Sequence, residues 1–176
     1  MSNVLIVVDM QDGFLTPGRN LYCGDGARTI IFQVAALIER ERRAGSRIIF
    51  TADTHDPDDA EFQMFPLHCI RGTQEAEIIP ELQPYATEVL PKRRYSAFFE
   101  TDLEKRLAEA RPEVVRICGV CTDICVLHTA ADLRNRDYRV EVVAEAVASF
   151  DPEAHRYALQ HMEKILGVQV VNAAWV

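Results

Sequence analysis

Five consecutive apolar residues, Val4–Val8, run directly into an acid, Asp9. A strand with one wet face alternates apolar and polar side chains. An unbroken apolar run instead marks a strand buried on both faces, as in a parallel sheet covered by helices. The rest of the chain repeats that logic. Ala27–Ala44 reads as a helix with Ile30, Val34, Leu37 and Ile38 on one face and Gly45 as its stop. Arg47–Ala52 reads as a strand, Glu88–Leu90 as a short strand stopped by Pro91, and Asp102–Ala110 as a helix. Val114–Val120 is predicted to be strand and Asp123–Arg136 helix. Arg139–Val143 follows as strand, then a helix Pro152–Leu166 capped by Asp151, then a last strand Val168–Val171. Strand and helix in alternation imply a doubly wound, Rossmann-like α/β fold with helices on both faces of a parallel sheet. No repeat, low-complexity segment or linker interrupts residues 1–176, so one domain is expected.

The acidic balance narrows the partners. Nineteen Lys and Arg against 27 Asp and Glu leave a net charge of −8, which argues against nucleic acid or an anionic membrane. The basic cluster Arg40-Glu41-Arg42-Arg43 sits late in a helical pattern and reads as a solvated face complementing the helix C-terminus. No apolar run approaches the roughly 18 residues of a membrane span, and no signal-like segment opens the chain. Five cysteines, an odd number, lie outside any small secreted framework, so a cytoplasmic protein with reduced thiols is expected.

Folds of this kind bind ligands beyond the carboxyl ends of their strands, and there the polar residues gather. Asp9 closes the first strand, Asp53 and His55 close the second, Lys92 follows the third and Cys125 follows the fourth. Burying a carboxylate without a partner is costly, so Asp9 calls for a partner or for a capping role. Thr122 reads as a helix N-cap, which puts Cys125 in the first turn, where the helix dipole lowers a thiol pKa. The alternative is a buried cysteine packing as a small hydrophobe. Cys118, Cys121 and Cys125 also raise a metal-thiolate reading, although their spacing lacks paired C-x-x-C units.

Asp53-Thr54-His55 points a carboxylate and an imidazole the same way, since residues i and i+2 of an extended segment share a face. His68 follows on a polar, irregular stretch from Asp53 to Gly72 that is too long to be a mere connector. Asp, His and His suit zinc, iron or manganese with positions left open, and Glu61 offers a fourth ligand. Surface histidines and turn-forming aspartates are the competing explanation.

These segments together resemble the isochorismatase-like cysteine hydrolases, within them the nicotinamidase branch. The likeness rests on Val7-Val8-Asp9-Met10-Gln11-Asp12-Gly13-Phe14, Asp53-Thr54-His55, Phe65-Pro66-Leu67-His68-Cys69, Lys92-Arg93-Arg94-Tyr95-Ser96-Ala97-Phe98 and Gly119 to Val126. It implies a six-stranded sheet of order 3-2-1-4-5-6 and a catalytic triad of Asp9, Lys92 and Cys125. It implies one divalent metal, zinc first, on Asp53, His55 and His68, with Glu61 matching a variable fourth position. It further implies a cis peptide at Val120–Cys121, which would aim the backbone N–H groups of Cys121 and Cys125 at an oxyanion. Phe14, Phe65 and Tyr95 match positions that wall the substrate ring. Cys121 departs from the family, which more often has Ala or Leu there, so two thiols lie near the site; Cys125 occupies the nucleophile's position.

The implied reaction is nicotinamide plus water giving nicotinate and ammonia through a thioester, as in pyridine-nucleotide salvage. A homo-oligomer is expected. Two other readings compete: a sister hydrolase of another small amide or carbamoyl compound, and a non-catalytic thiol-sensing or binding module on the same fold.

Overall fold

The computed structural model describes residues 3–173. Six parallel strands form one sheet in the order β3-β2-β1-β4-β5-β6. They are β1 (Val4–Val8), β2 (Arg47–Asp53), β3 (Val89–Lys92), β4 (Val115–Val120), β5 (Val140–Ala148) and β6 (Gln169–Val171). The connections run outward from β1 to β3, then return across to β4 and run outward again. The order therefore reverses between β1 and β4, which lie side by side.

Because successive strand residues face opposite ways, β1 feeds two cores. Leu5 and Val7 pack with Val34, Leu37 and Ile38 of the helix Ile30–Arg43, α3 in chain order after Asp12–Leu15 (α1) and Asp25–Arg28 (α2), on one face. Val4, Ile6 and Val8 pack with Leu103 and Leu107 of one helix, Leu103–Ala110, and with Leu133 and Met162 of two others on the opposite face. Those two are Leu127–Arg134 and Pro152–Lys164. All five residues of β1 are fully buried, each side chain contributing about 1.5–3 kcal/mol. This is why the run carries no polar residue.

Several predicted elements are corrected. The helix expected over Ala27–Ala44 is two, α2 (Asp25–Arg28) and α3, with Thr29 between them. Arg40 and Glu41 do not lie on a purely solvated face: Glu41 is buried against Arg116 at 2.8 Å. Pro91 does not stop β3, which continues to Lys92 with Pro91 paired to Ala52. An edge strand tolerates proline because its outer side needs no ladder hydrogen bond. β5 runs on to Ala148, past the expected end at Val143, with a register shift opposite Ile117 and Gly119. Asp151 does cap its helix, its carboxylate accepting the Glu153 N–H at 2.8 Å.

Gly119 is required where it stands. Its φ is +112°, and a Cβ there would lie 2.1 Å from the Val8 carbonyl oxygen. β4 thereby comes close against β1 at the reversal, one residue before Asp9. No helix among the described residues is long and apolar enough to cross a membrane.

Candidate functional site

The strand ends converge as the sequence predicted. Asp9, at φ +51°, turns the chain out of β1, a backbone region that aspartate tolerates better than most residues. Its neighbour across the reversal is the segment after β4. Lys92 is the last residue of β3 and the register partner of Asp53. Its ammonium lies 2.8 Å from Asp9 Oδ2, 2.6 Å from Asp53 Oδ1 and 3.5 Å from Cys125 Sγ. A further bond, to the Arg94 carbonyl at 3.0 Å, completes its shell. Asp9, Asp53, Lys92 and Cys125 are all buried.

The charges follow from that geometry. Burial disfavours the lysine cation, yet Asp53 and Asp9 overcome it and hold Lys92 well above its ordinary value. Burial pushes the Asp9 carboxyl above the usual range against the pull of Lys92. Asp53 is driven the other way: burial opposes ionisation, but Lys92, His55 and His68 keep it ionised. Cys125 corrects an expectation. Burial pushes its thiol well above the ordinary value; Lys92 pulls it down, but Asp9 and Asp53 push it up. The one lysine charge is already shared by two carboxylates, which leaves less of it to stabilise a thiolate at Cys125.

Local backbone corrects a second expectation. Thr122 is not an N-cap. Residues Thr122–Val126 form a single π-type turn leading into Leu127–Arg134, with the Val126 N–H reaching the Cys121 carbonyl at 3.2 Å. The Thr122 hydroxyl instead meets His155 Nδ1 at 2.8 Å. Such turns recur at functional sites. The Val120–Cys121 peptide is cis, as the resemblance implied.

Asp53 also belongs to a second cluster. One donor atom each from Asp53, His55, Glu61 and His68 lie within 4.8 Å of one another, and all four residues are buried. His55 Nε2 faces Asp53 Oδ2 at 3.3 Å and Glu61 Oε1 at 3.8 Å; His68 Nε2 faces the same atoms at 3.6 and 3.7 Å. Buried Glu61 Oε2 has no hydrogen-bond partner. Two imidazoles and two buried carboxylates converging on one point fit a zinc-like divalent cation, while Glu61 Oε2, turned away from the histidines, has Arg94 Nη1 at 3.9 Å. The thiolate alternative does not survive: Cys121 Sγ sits 3.5 Å from Cys23 Sγ, while Cys118 and Cys125 belong to opposite cores.

Between the clusters lies a pocket of about 340 Å³, part of it open to solvent. Phe14, Phe65 and Tyr95 line it, together with Cys121 and Cys125. Sequence reasoning did not assign Ile124, beside Cys125, to the wall, and it missed Leu21 and Phe150, which also line it; the last two carry no local signal, and distant segments bring them in. It also missed two buried polar props. Thr51 donates its hydroxyl to Asp9 Oδ1 at 2.6 Å. The Gln11 amide accepts the Asp53 N–H at 2.7 Å and donates to the Asp53 and Ala76 carbonyls at 2.8 Å each.

Comparison with known proteins agrees with this geometry. The isochorismatase domain model matches residues 3–174. The crystal structure of the nicotinamidase PncA from Bacillus subtilis superposes with a TM-score of 0.92 at 38% identity, covering 98% of this chain and 100% of that one. A pyrazinamidase of Pyrococcus horikoshii in complex with zinc superposes at 0.89 and 33% identity, covering 98% and 99%. An N-carbamoylsarcosine amidase from Thermoplasma acidophilum gives 0.88 and 34%, covering 98% and 97%. With the sheet order, the strand-end cluster and a family match over nearly its whole length, the chain belongs to the isochorismatase family.

Proposed function

We propose that this chain is a metal-dependent cysteine amidohydrolase converting nicotinamide and water to nicotinate and ammonia. The observation that carries the reading is Lys92, held within 3.5 Å of Asp9, Asp53 and Cys125, three residues that line the aromatic-walled pocket. In this reading Asp9 accepts the Cys125 proton, and Lys92 stabilises the thiolate as it forms. The thiolate attacks the carboxamide carbon, and the backbone N–H groups of Cys121 and Cys125 receive the oxyanion. Asp9, whose raised pKa suits a group that must both take and return a proton, delivers it to the departing ammonia. Water then hydrolyses the thioester with Asp9 again as base. Asp53, His55, His68 and Glu61 would hold the divalent ion, zinc first, which supplies a Lewis-acidic anchor for the ring nitrogen. Phe14, Phe65 and Tyr95 pack against the ring.

Charge separates this reading from its nearest rival. The pocket is lined by Asp9, Asp53 and Glu61, and among the described residues no lysine or arginine lines it. On the pocket wall the protein offers the carboxylate of a carbamoyl amino acid such as N-carbamoylsarcosine no lysine or arginine partner, so the divalent ion alone would have to meet it, whereas nicotinamide is neutral and needs none. The overall charge of −8 argues against nucleic acid as a partner and is compatible with a small-molecule substrate.

Ammonia release tests the proposal, measured over nicotinamide, pyrazinamide and N-carbamoylsarcosine, with and without chelator. Nicotinamide should give the highest kcat/KM, and chelation should depress it. Turnover confined to the carbamoyl acid would replace this reading with the sister activity.

A further inference from the structure

We propose that Asp59 and Arg94 form an outer support for the metal site: Asp59 fixes the orientation and tautomer of His55, and Arg94 fixes Asp59. The proposal rests on the reading of Asp53, His55, Glu61 and His68 as metal ligands.

A neutral imidazole carries one N–H and one lone pair, and the group facing one nitrogen decides the state of the other. His55 Nδ1 lies 3.2 Å from Asp59 Oδ2. An ionised carboxylate only accepts, so it requires the hydrogen on Nδ1. Nε2, which faces Asp53 and Glu61, is left with its lone pair turned into the ligand cluster. His68 obtains the same result differently, its Nδ1 facing the Pro66 carbonyl at 2.8 Å.

Asp59 does more than orient His55. Its Oδ1 accepts the Glu61 N–H at 2.9 Å and caps the short 3₁₀ turn Ala60–Gln63. One side chain therefore places two candidate ligands, His55 through its ring and Glu61 through its backbone. That carboxylate is only 5% exposed, and a charge so placed needs a partner. Arg94 supplies it: Nη1 reaches Asp59 Oδ1 at 2.8 Å and Oδ2 at 3.0 Å. The Arg94 carbonyl accepts from Lys92 Nζ at 3.0 Å. Arg94 thus spans from the lysine beside the thiol to the prop beneath the metal ligands.

Asp59→Asn separates this role from simple capping. The Glu61 N–H and Arg94 both donate toward Oδ1, so the asparagine carbonyl must stay there, and asparagine caps as well as aspartate. Its NH2 group then faces His55 Nδ1 and favours the wrong tautomer. Zinc affinity is measured by competition with a chromophoric chelator on the full chain. Asp59→Asn should weaken it about 10- to 100-fold, the loss typical of an outer partner, with the melting temperature of the metal-free protein little changed. The visible absorption of cobalt(II) in the same site should shift as His55 ligation is lost. Arg94→Met, which leaves Asp59 in place without its counter-charge, should move zinc affinity in the same direction by less. Affinities within twofold of wild type in both variants would overturn the proposal alone. A wild-type chain that takes up no zinc would overturn the metal reading and this proposal with it.

Discussion

The two halves of the site are built by different means. Asp9 and Lys92 hang on strand ends, and the sheet ladder places them: β1 pairs with β2 and β4, and Lys92 is registered against Asp53; Cys125 follows in the π-type turn that leaves β4. The metal half begins on β2 with Asp53, but Glu61 and His68 come from the irregular segment that follows. That segment is held by the bridge between His55 and Ile70, by a backbone bond from Thr54 to Lys92, and by polar side chains, Asp59 foremost. A ladder positions residues through the backbone, whatever their side chains; a propped loop depends on each prop. Substitutions in the first half should therefore remove chemistry from an intact frame. Those in the second should loosen ligands and lower affinity.

The largest effects belong to the first half. Cys125→Ala should abolish ammonia release, and Asp9→Asn should lower kcat by about 10²–10⁴-fold, the range of a general base. Both should fold as wild type by circular dichroism. Cys121→Ala should retain substantial activity, because only its backbone N–H is invoked. An active Cys125→Ala variant, or label from an electrophilic nicotinamide analogue confined to Cys121, would reverse the choice of thiol. Near-normal turnover by Asp9→Asn would exclude that carboxylate as the base.

The same contrast explains what the sequence made legible. The sheet was readable because β1 is an unbroken apolar run, β2 and β4 are mostly apolar, and strands alternate with helical patterns, and the polar residues ending those runs marked the site. Strand order and the triad came from motif resemblance, since pairing depends on contacts between distant segments. Local reading failed where backbone departs from regular helix or strand. Thr122 has the composition of a cap, but the chain turns there with a π-type hydrogen bond from Val126 to Cys121. Cys125 has the position of an activated thiol, but its charge state depends on Lys92 being shared between Asp9 and Asp53. Asp59 and Thr51 gave no signal at all: an aspartate in a loop and a threonine in a strand are ordinary until their partners are known.

Smaller effects are expected from the metal half, and on binding more than on chemistry. His55→Ala should weaken zinc affinity by at least about 10–100-fold, since disturbing even a ligand's outer partner costs that much. Glu61→Gln should be milder, because Glu61 sits on the propped turn and asks only one oxygen of the site. Chelation should raise the KM for nicotinamide while leaving alkylation of Cys125 intact. Equal losses in the two variants would make Glu61 a full ligand. Loss of Cys125 alkylation on chelation would join the two halves into one unit and end the distinction.

The smallest effect sharpens the comparison from within the first half, where one residue acts as a prop in the manner of the loop. Thr51 on β2 donates to Asp9 Oδ1 at 2.6 Å, a bond that favours the charged carboxylate and pulls its pKa down against burial. Thr51→Val keeps the shape and removes the donor. The carboxylate is then less favoured, so the Asp9 pKa rises further above its ordinary value. Protonated Asp9 cannot take the thiol proton, and activity falls as pH drops through that pKa. The acidic limb of kcat/KM, which reports the free enzyme's base, should therefore move to higher pH. A hydrogen bond to a charged group is worth about 1.5 kcal/mol or somewhat more, so the loss at neutral pH should be about tenfold or somewhat more. It should shrink toward alkaline pH, where Asp9 is ionised in both proteins. A loss uniform across pH would mean that Thr51 only packs, and that the ladder alone is enough to set the base.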